Sequence, residues 1–195
     1  MDSRVLEPEM HQGLTANELP FAGVDEARLN RIVADHFDVL WRFLRRLGVP
    51  NGGLDDAVQE VVLVLARKLD RVRSGSERAF VLSVAFRVAS GARRLRRRQR
   101  EVSDEELGEL EAPEADPEQQ LERRRLAALL DRALAELPFE LRAVFVLYEL
   151  EQLTMAEIAS TLTLPPGTVA SRLRRAREQF EALAAQLLPE REGAP

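Results

Sequence analysis

Apolar side chains recur along this chain at three- and four-residue steps, the spacing that lines them up on one side of a helix. No stretch alternates apolar and polar positions as a half-buried strand does. Leu29, Ile32, Val33, Phe37, Leu40, Trp41, Leu44 and Leu47 form a first stripe, on a helix entered at about Asp25 and ended by the turn from Gly48 to Gly53. A second runs through Val58, Val61, Val62, Leu65 and Leu69. There Asp56 and Gln59 have the spacing of a helix start, and Asp55, Gln59, Glu60, Arg67 and Lys68 occupy the opposite face. The third stripe uses Val81, Val84, Ala85, Val88, Ala92 and Leu95, of which Val84, Val88, Ala92 and Leu95 hold the basic end of that helix to the rest. Leu126, Leu129, Leu130, Ala133, Leu134 and Leu137 predict a helix stopped by Pro138, and Leu141, Val144, Phe145 and Tyr148 open the next. The fold class expected is all-α.

The segment after Tyr148 carries the sharpest local signal. Thr154 and Glu157 have the spacing of a capping box opening a short helix with Met155, Ile158, Ala159 and Leu162 inside. Residues 163–167 make a turn, and a final helix follows with Val169, Leu173, Ala176, Phe180, Leu183 and Leu187 inward. Its other face shows Thr168, Ser171, Arg172, Arg174 and Arg175. A short helix, a tight turn and a second helix with such a face describe a helix-turn-helix, whose second helix enters the major groove with polar side chains on base edges. A capped helical hairpin also serves as plain scaffold, so spacing alone leaves both readings open.

Charge changes the picture. The 195 residues carry a formal net charge of -5, which by itself argues against a polyanionic partner. Along the chain that value is a cancellation: residues 27–100 hold 17 basic and 7 acidic side chains, whereas 101–122 hold ten acids and no base. Residues 1–26 are acidic and residues 123–195 neutral. The organisation expected is two small helical domains, 25–100 and 123–187, joined by a flexible acidic linker, 101–122, with an acidic extension at 1–24 and a tail at 188–195. Within the linker, Ser103 and Glu106 have the spacing of a capped helical turn near Leu107.

Arg87, Arg93, Arg94, Arg96, Arg97, Arg98 and Arg100 crowd the end of the third helix, where their mutual repulsion calls for an anion. Arginine favours forked contacts to phosphate oxygens and stacking on bases. A merely solvated face is the plain alternative, and an anionic membrane surface is disfavoured because the helix lacks a bulky exposed apolar face. Gly91, inside this helix, costs up to about 1 kcal/mol against alanine and suggests a close approach or a bend.

Composition removes most chemistry. There is no cysteine, and the two histidines, His11 and His36, lie far apart, so neither a disulfide framework nor a metal centre is expected. No Gly-rich phosphate loop and no nucleophile, base and orienter set is evident, so the chain reads as a protein without enzymatic activity, catalytic residue or cofactor. It lacks a signal sequence and an apolar run of bilayer length, which predicts a cytoplasmic protein with no membrane insertion.

At this point the residues resemble a known family. DDAVQEVVLVLARKL is similar to conserved region two of bacterial sigma-70 family RNA polymerase sigma factors, and LPFELRAVFVLYELEQLTMAEIASTLTLPPGTVASRLRRARE is similar to region four. Two such regions joined by a short linker, with no domain before or between them, resemble the extracytoplasmic-function group, over roughly residues 25 to 187. The resemblance implies a promoter-specificity subunit directing transcription initiation at minus-35 and minus-10 elements. It implies that Asp55, Asp56, Gln59 and Glu60 dock on core RNA polymerase, whose beta-prime clamp helices and beta flap are the surfaces involved. Arg87, Ser90, Arg93, Arg94, Arg96, Arg97 and Arg98 would hold the minus-10 element, as duplex and as melted non-template strand. Thr168, Ala170, Ser171, Arg172, Arg174 and Arg175 would read the minus-35 element. An anti-sigma factor is the regulatory partner implied, and the acidic linker would run through the polymerase cleft. Phe80, Arg87, Gly91, Val62 and Ala170 stand where the family often has Trp, Asn, Asp, Phe and Lys, which bears on the promoter bases more than on the class of function. The competing reading is a free-standing helix-turn-helix regulator that binds duplex DNA without polymerase.

Overall fold

Helices account for the regular structure of the computed structural model, which describes residues 25–98 and 117–187. The expected extension at 1–24, the Ser103 to Glu106 turn and the tail lie outside the described residues. Seven α-helices follow one another: α1 (Glu26–Arg46), α2 (Leu54–Arg67), α3 (Glu77–Arg98), α4 (Pro117–Glu136), α5 (Phe139–Phe145), α6 (Met155–Leu162) and α7 (Pro166–Leu187).

The first three pack on one another, because each has a face that only its neighbours can take from water. Asp25 caps α1 by accepting a hydrogen bond from the Arg28 amide at 2.9 Å. Leu29, Ile32, Leu40, Phe43 and Leu44 are buried, as are Leu54, Val58, Val61 and Leu65 of α2 and Val81, Leu82, Val84, Ala85 and Val88 of α3. Arg28 ties down the turn after α2, donating to the carbonyls of Leu69 and Val72. In the second half α7 packs against α4, α5 and α6 over Leu134, Leu147, Ile158, Val169, Leu173 and Ala176.

Several expectations are corrected. The cap of α2 is Gly53, which makes no side-chain cap bond, so Asp56 lies inside the first turn, where a carboxylate meets the positive end of the helix dipole. Phe37 is 41% exposed and Leu95 55%, so neither belongs to the stripe that holds its helix, and α3 is anchored through Val84, Val88 and Ala89. Leu126 is likewise half exposed. Helix α4 starts at Pro117, inside the stretch read as linker, with proline at the first helical position, where its missing N–H costs nothing. A Cβ at Gly91 would meet nothing within 4 Å, so this glycine marks no close approach.

Helix α5 gives way to a π-helical turn, Val146–Leu150, that periodicity did not announce. The Glu151 amide bonds the Val146 carbonyl at 2.9 Å, and Gln152 follows in the left-handed region at φ 54°. The wider turn points Glu151 inward, where it is buried. With Phe43 fully buried at the centre of the first three helices, Phe43→Ala is expected to lower unfolding free energy by about 3 to 5 kcal/mol in a urea titration followed by circular dichroism.

Candidate nucleic-acid interface

Three polar surfaces are set up by these helices. The first lies on α2, where burial of Leu54, Ala57, Val58 and Val61 leaves Asp55, Asp56, Gln59 and Glu60 exposed. Asp55 and Gln59 are one helical turn apart, as are Asp56 and Glu60, so the four make two adjacent rows of an acidic, hydrogen-bonding patch.

The second lies on α3. Arg87 is turned back on its own helix: its Nε donates to the Ser83 carbonyl at 3.0 Å and its Nη2 to Ser83 Oγ at 3.0 Å, while Ser83 Oγ donates to the Phe80 carbonyl at 2.8 Å. Two of its donors are thereby fixed and the rest of the exposed guanidinium faces outward. Ser90 is half-buried, and Arg94 and Arg96 are exposed. Arg93 is not free in the same way, since its guanidinium lies over the ring of Phe139, 5.0 Å from the centroid. Arg97 and Arg98 continue the helix, and their side chains lie outside the described residues.

The third is the helix-turn-helix. Thr154 Oγ1 accepts from the Glu157 amide at 3.3 Å, and the Glu157 carboxylate accepts from the Thr154 amide at 2.8 Å, closing the expected capping box. The Thr154 hydroxyl and amide hold the Glu157 carboxyl below the usual glutamate range. Thr163 ends α6 in the left-handed conformation, φ 56°, and its amide bonds the Ser160 carbonyl, so the chain turns within a few residues into α7 at Pro166.

Inward burial of Val169, Leu173 and Ala176 then decides which side chains α7 presents. At roughly 100° per residue, Thr168, Ser171, Arg172 and Arg175 fall on one arc of about 100°, which runs from the solvent side at Ser171 to the edge of the buried face at Arg172. Thr168 and Arg172 are half-buried, and Ser171 and Arg175 exposed. The Ser171 hydroxyl donates to the Thr168 carbonyl at 3.0 Å. Ala170 and Arg174 sit on the flank, and Arg174 is paired with Glu178 at 2.8 Å. That flank borders a shallow cavity of about 340 Å³ whose lining mixes Met155 and Leu173 with Arg177, Glu178 and Glu181, a charge balance unsuited to phosphate. Behind it, Arg177 bonds Glu149 at 2.6 Å and lies over Tyr148, and the Glu149 hydrogen bond raises its pKa.

A further group was not legible beforehand. The Glu151 carboxylate meets Arg78 Nη2 at 2.7 Å and Arg46 Nη1 at 3.4 Å, and Arg78 Nη1 donates to the Glu151 carbonyl at 2.7 Å. Arg45 pairs with Asp131, and Phe86 stacks on Phe139 with centroids 5.6 Å apart. All of these join α1 or α3 to the second half of the chain. Among the described residues there is no cluster of side chains suited to a metal ion, and no helix is long and apolar enough to cross a membrane.

Comparison with known proteins agrees with this arrangement. Residues 127–180 match the family model for sigma-70, region 4. The chain is 32% identical over 152 residues to an ECF RNA polymerase sigma factor, SigE, of Mycolicibacterium smegmatis, a match covering 77% of this chain and 59% of that relative. It is 32% identical over 142 residues to the ECF RNA polymerase sigma-E factor of Escherichia coli K12, covering 68% of this chain and 74% of that one. Among solved structures it resembles CnrH in complex with the cytosolic domain of CnrY, with a TM-score of 0.57, 25% identity, and coverage of 81% of this chain and 88% of that one. The fold also matches the sigma factor RpoE of Bartonella quintana, solved with the anti-sigma factor NepR, with a TM-score of 0.65 at 18% identity over 80% of this chain and 96% of that one.

The capping box that opens α6 yields a pH-dependent expectation. Thr154→Ala should cost about 1 kcal/mol of stability at neutral pH. Because the Glu157 carboxyl titrates lower when folded than when unfolded, its contribution is present above the unfolded range and lost as pH falls through the folded one. Urea titrations of wild type and variant at neutral pH and at about pH 3 should therefore show the difference narrowing in acid.

Proposed function

Because the chain belongs to the extracytoplasmic-function group of sigma-70 family RNA polymerase sigma factors, we propose that its polar surfaces divide the work of promoter recognition as follows. It acts as a promoter-specificity subunit, with no chemistry of its own. The acidic patch of Asp55, Asp56, Gln59 and Glu60 docks on core polymerase, on the beta-prime clamp helices, and the second half meets the beta flap. Arg87, Arg94 and Arg96, with Ser90, Arg93, Arg97 and Arg98, hold the minus-10 element and its melted non-template strand. Thr168, Ser171, Arg172 and Arg175 read the minus-35 element in the major groove, with Ala170 and Arg174 beside them. A partner of the anti-sigma class, such as the NepR seated on the Bartonella quintana relative, is the regulator expected.

The observation that carries this reading is the arc of Thr168, Ser171, Arg172 and Arg175 on a helix entered through a tight turn, within the residues that match region four. Hydroxyls near the start of such a helix suit base edges, and arginines further along suit guanines or phosphates. The plan also suits the α2 patch, where acids turned to solvent repel DNA and attract a basic protein surface.

Run-off transcription from a genomic promoter library tests it: purified protein added to core enzyme should give promoter-dependent start sites. A gel shift with and without core enzyme separates it from a free-standing regulator, which would bind a specific duplex tightly alone. Gln59→Ala with Glu60→Ala should abolish binding to core enzyme in a pull-down while leaving the helical circular dichroism spectrum unchanged. Arg172→Ala and Arg175→Ala should each weaken upstream recognition by about 1 to 3 kcal/mol, measured on promoters mutated at one element at a time.

A further inference from the structure

Ser83 belongs to none of the recognition surfaces, yet it is a polar residue only 8% exposed, placed one turn beneath a member of the basic one. Its hydroxyl has a single proton, and that proton goes to the Phe80 carbonyl at 2.8 Å, so towards Arg87 the oxygen can only accept. Arg87 meets it with two donors from one edge of its planar guanidinium, Nε to the Ser83 carbonyl and Nη2 to the Ser83 hydroxyl, both at 3.0 Å. We infer that Ser83 is a positioning residue that aims the free edge of Arg87 at a guanine of the minus-10 element and thereby sets this chain's base preference there.

The shape of the guanidinium carries the step from orientation to base. Of its five N–H donors, Nε and one proton of Nη2 are engaged by Ser83, so the outer edge keeps one proton on Nη1 and one on Nη2, parallel and directed away from the serine. Such a fork matches two adjacent acceptors. Guanine offers O6 and N7 side by side, whereas adenine sets a donor at N6 beside N7 and thymine sets a methyl group beside O4. Cytosine presents a donor in the groove of the duplex and two adjacent acceptors only once unpaired. Guanine is therefore the base whose acceptor pair is within reach both before and after the strand melts, and here the inference rests on the function proposed above.

The position on α3 suits a nucleotide. At roughly 100° per residue, Ser83, Arg87, Ser90 and Arg94 fall within an arc of about 60°. Arg87 lies about 100° round the helix from Phe86, the residue that stacks on Phe139, so this arrangement does not depend on how the halves are joined. Gly91, one turn beyond Arg87, is exposed, and a Cβ there would meet nothing within 4 Å, so no packing within the protein requires the glycine. It leaves the helix backbone bare beside the fork. Arg94 is exposed two turns on from Arg87, roughly 10 Å along the axis, where it takes a neighbouring phosphate while Arg87 takes the base.

Run-off initiation with core enzyme, on promoters randomised across the minus-10 element, reads the base preference of each chain as a ratio among sequences, which a merely destabilised fold does not move. Wild type should favour guanine over adenine or thymine about tenfold at one position of the non-template strand. Replacing that base with 7-deazaguanine, which lacks the N7 acceptor, should remove most of the preference. Ser83→Ala should lower it about threefold at that position alone, and Ser83→Thr, which keeps a hydroxyl, should restore it. Arg87→Lys, which keeps the charge without the fork, should abolish it. If Ser83→Ala and Arg87→Lys leave the ratios intact while initiation falls equally on all sequences, Arg87 is a phosphate contact and the inference is overturned. It is overturned as well if no position prefers guanine. In both cases promoter-dependent start sites persist and the proposed function stands, whereas a wild type that initiates from no sequence removes that function and this inference together.

Discussion

Burying a carboxylate between two sets of helices is the constraint on which the arrangement of this molecule turns. Glu151 is carried inward by a π-helical turn, and once there it has to be met by Arg78 and Arg46 from the other half. That requirement places α6 against α3, and with it the helix-turn-helix beside the basic helix. Arg45 with Asp131 and the Phe86 to Phe139 stack reinforce the same junction. Apolar burial builds each half, but charge and aromatic contacts at specific points decide how the halves meet.

Division of labour among the surfaces follows from where each helix spends its apolar face. On α2, burial of one side leaves an acidic patch, which suits a protein surface and repels DNA. On α3, apolar burial runs to Val88 and Ala89, and beyond them Arg94 and Arg96 are exposed. On α7, Val169, Leu173 and Ala176 point in, and the arc from Arg172 round to Ser171 is polar and basic. Under the proposed plan, a chain of net charge -5 binds a polyanion through local surfaces rather than through its overall balance.

Most helices were legible because their cores repeat at helical spacing, and the capping box at Thr154 and Glu157 was legible because a local pair of side chains suffices to make it. The polar faces of α2 and α7 followed from the same periodicity read in reverse. The family resemblance is sound for the class of protein, and it assigns the site residues only by position. What escaped depends on contacts between residues far apart in the chain. The Leu95 and Phe37 positions fit a stripe, but both side chains stay largely in solvent, at 55% and 41% exposure. Arg45, Arg78 and Asp131 look like ordinary surface charges until the halves meet. The π-helical turn adds a residue per turn inside an apolar run, which leaves little trace in spacing. Arg87 seemed a free cation and is instead held by Ser83, one turn back.

The account holds that the arc of Thr168, Ser171, Arg172 and Arg175 on α7 reads the upstream promoter element for core polymerase. Run-off initiation by the wild-type and Arg172→Ala chains with core enzyme, on promoters with that element intact or mutated, tests this most directly. The substitution should weaken initiation by about 1 to 3 kcal/mol where the element is intact and change little where it is mutated. The same loss on both promoters would contradict it.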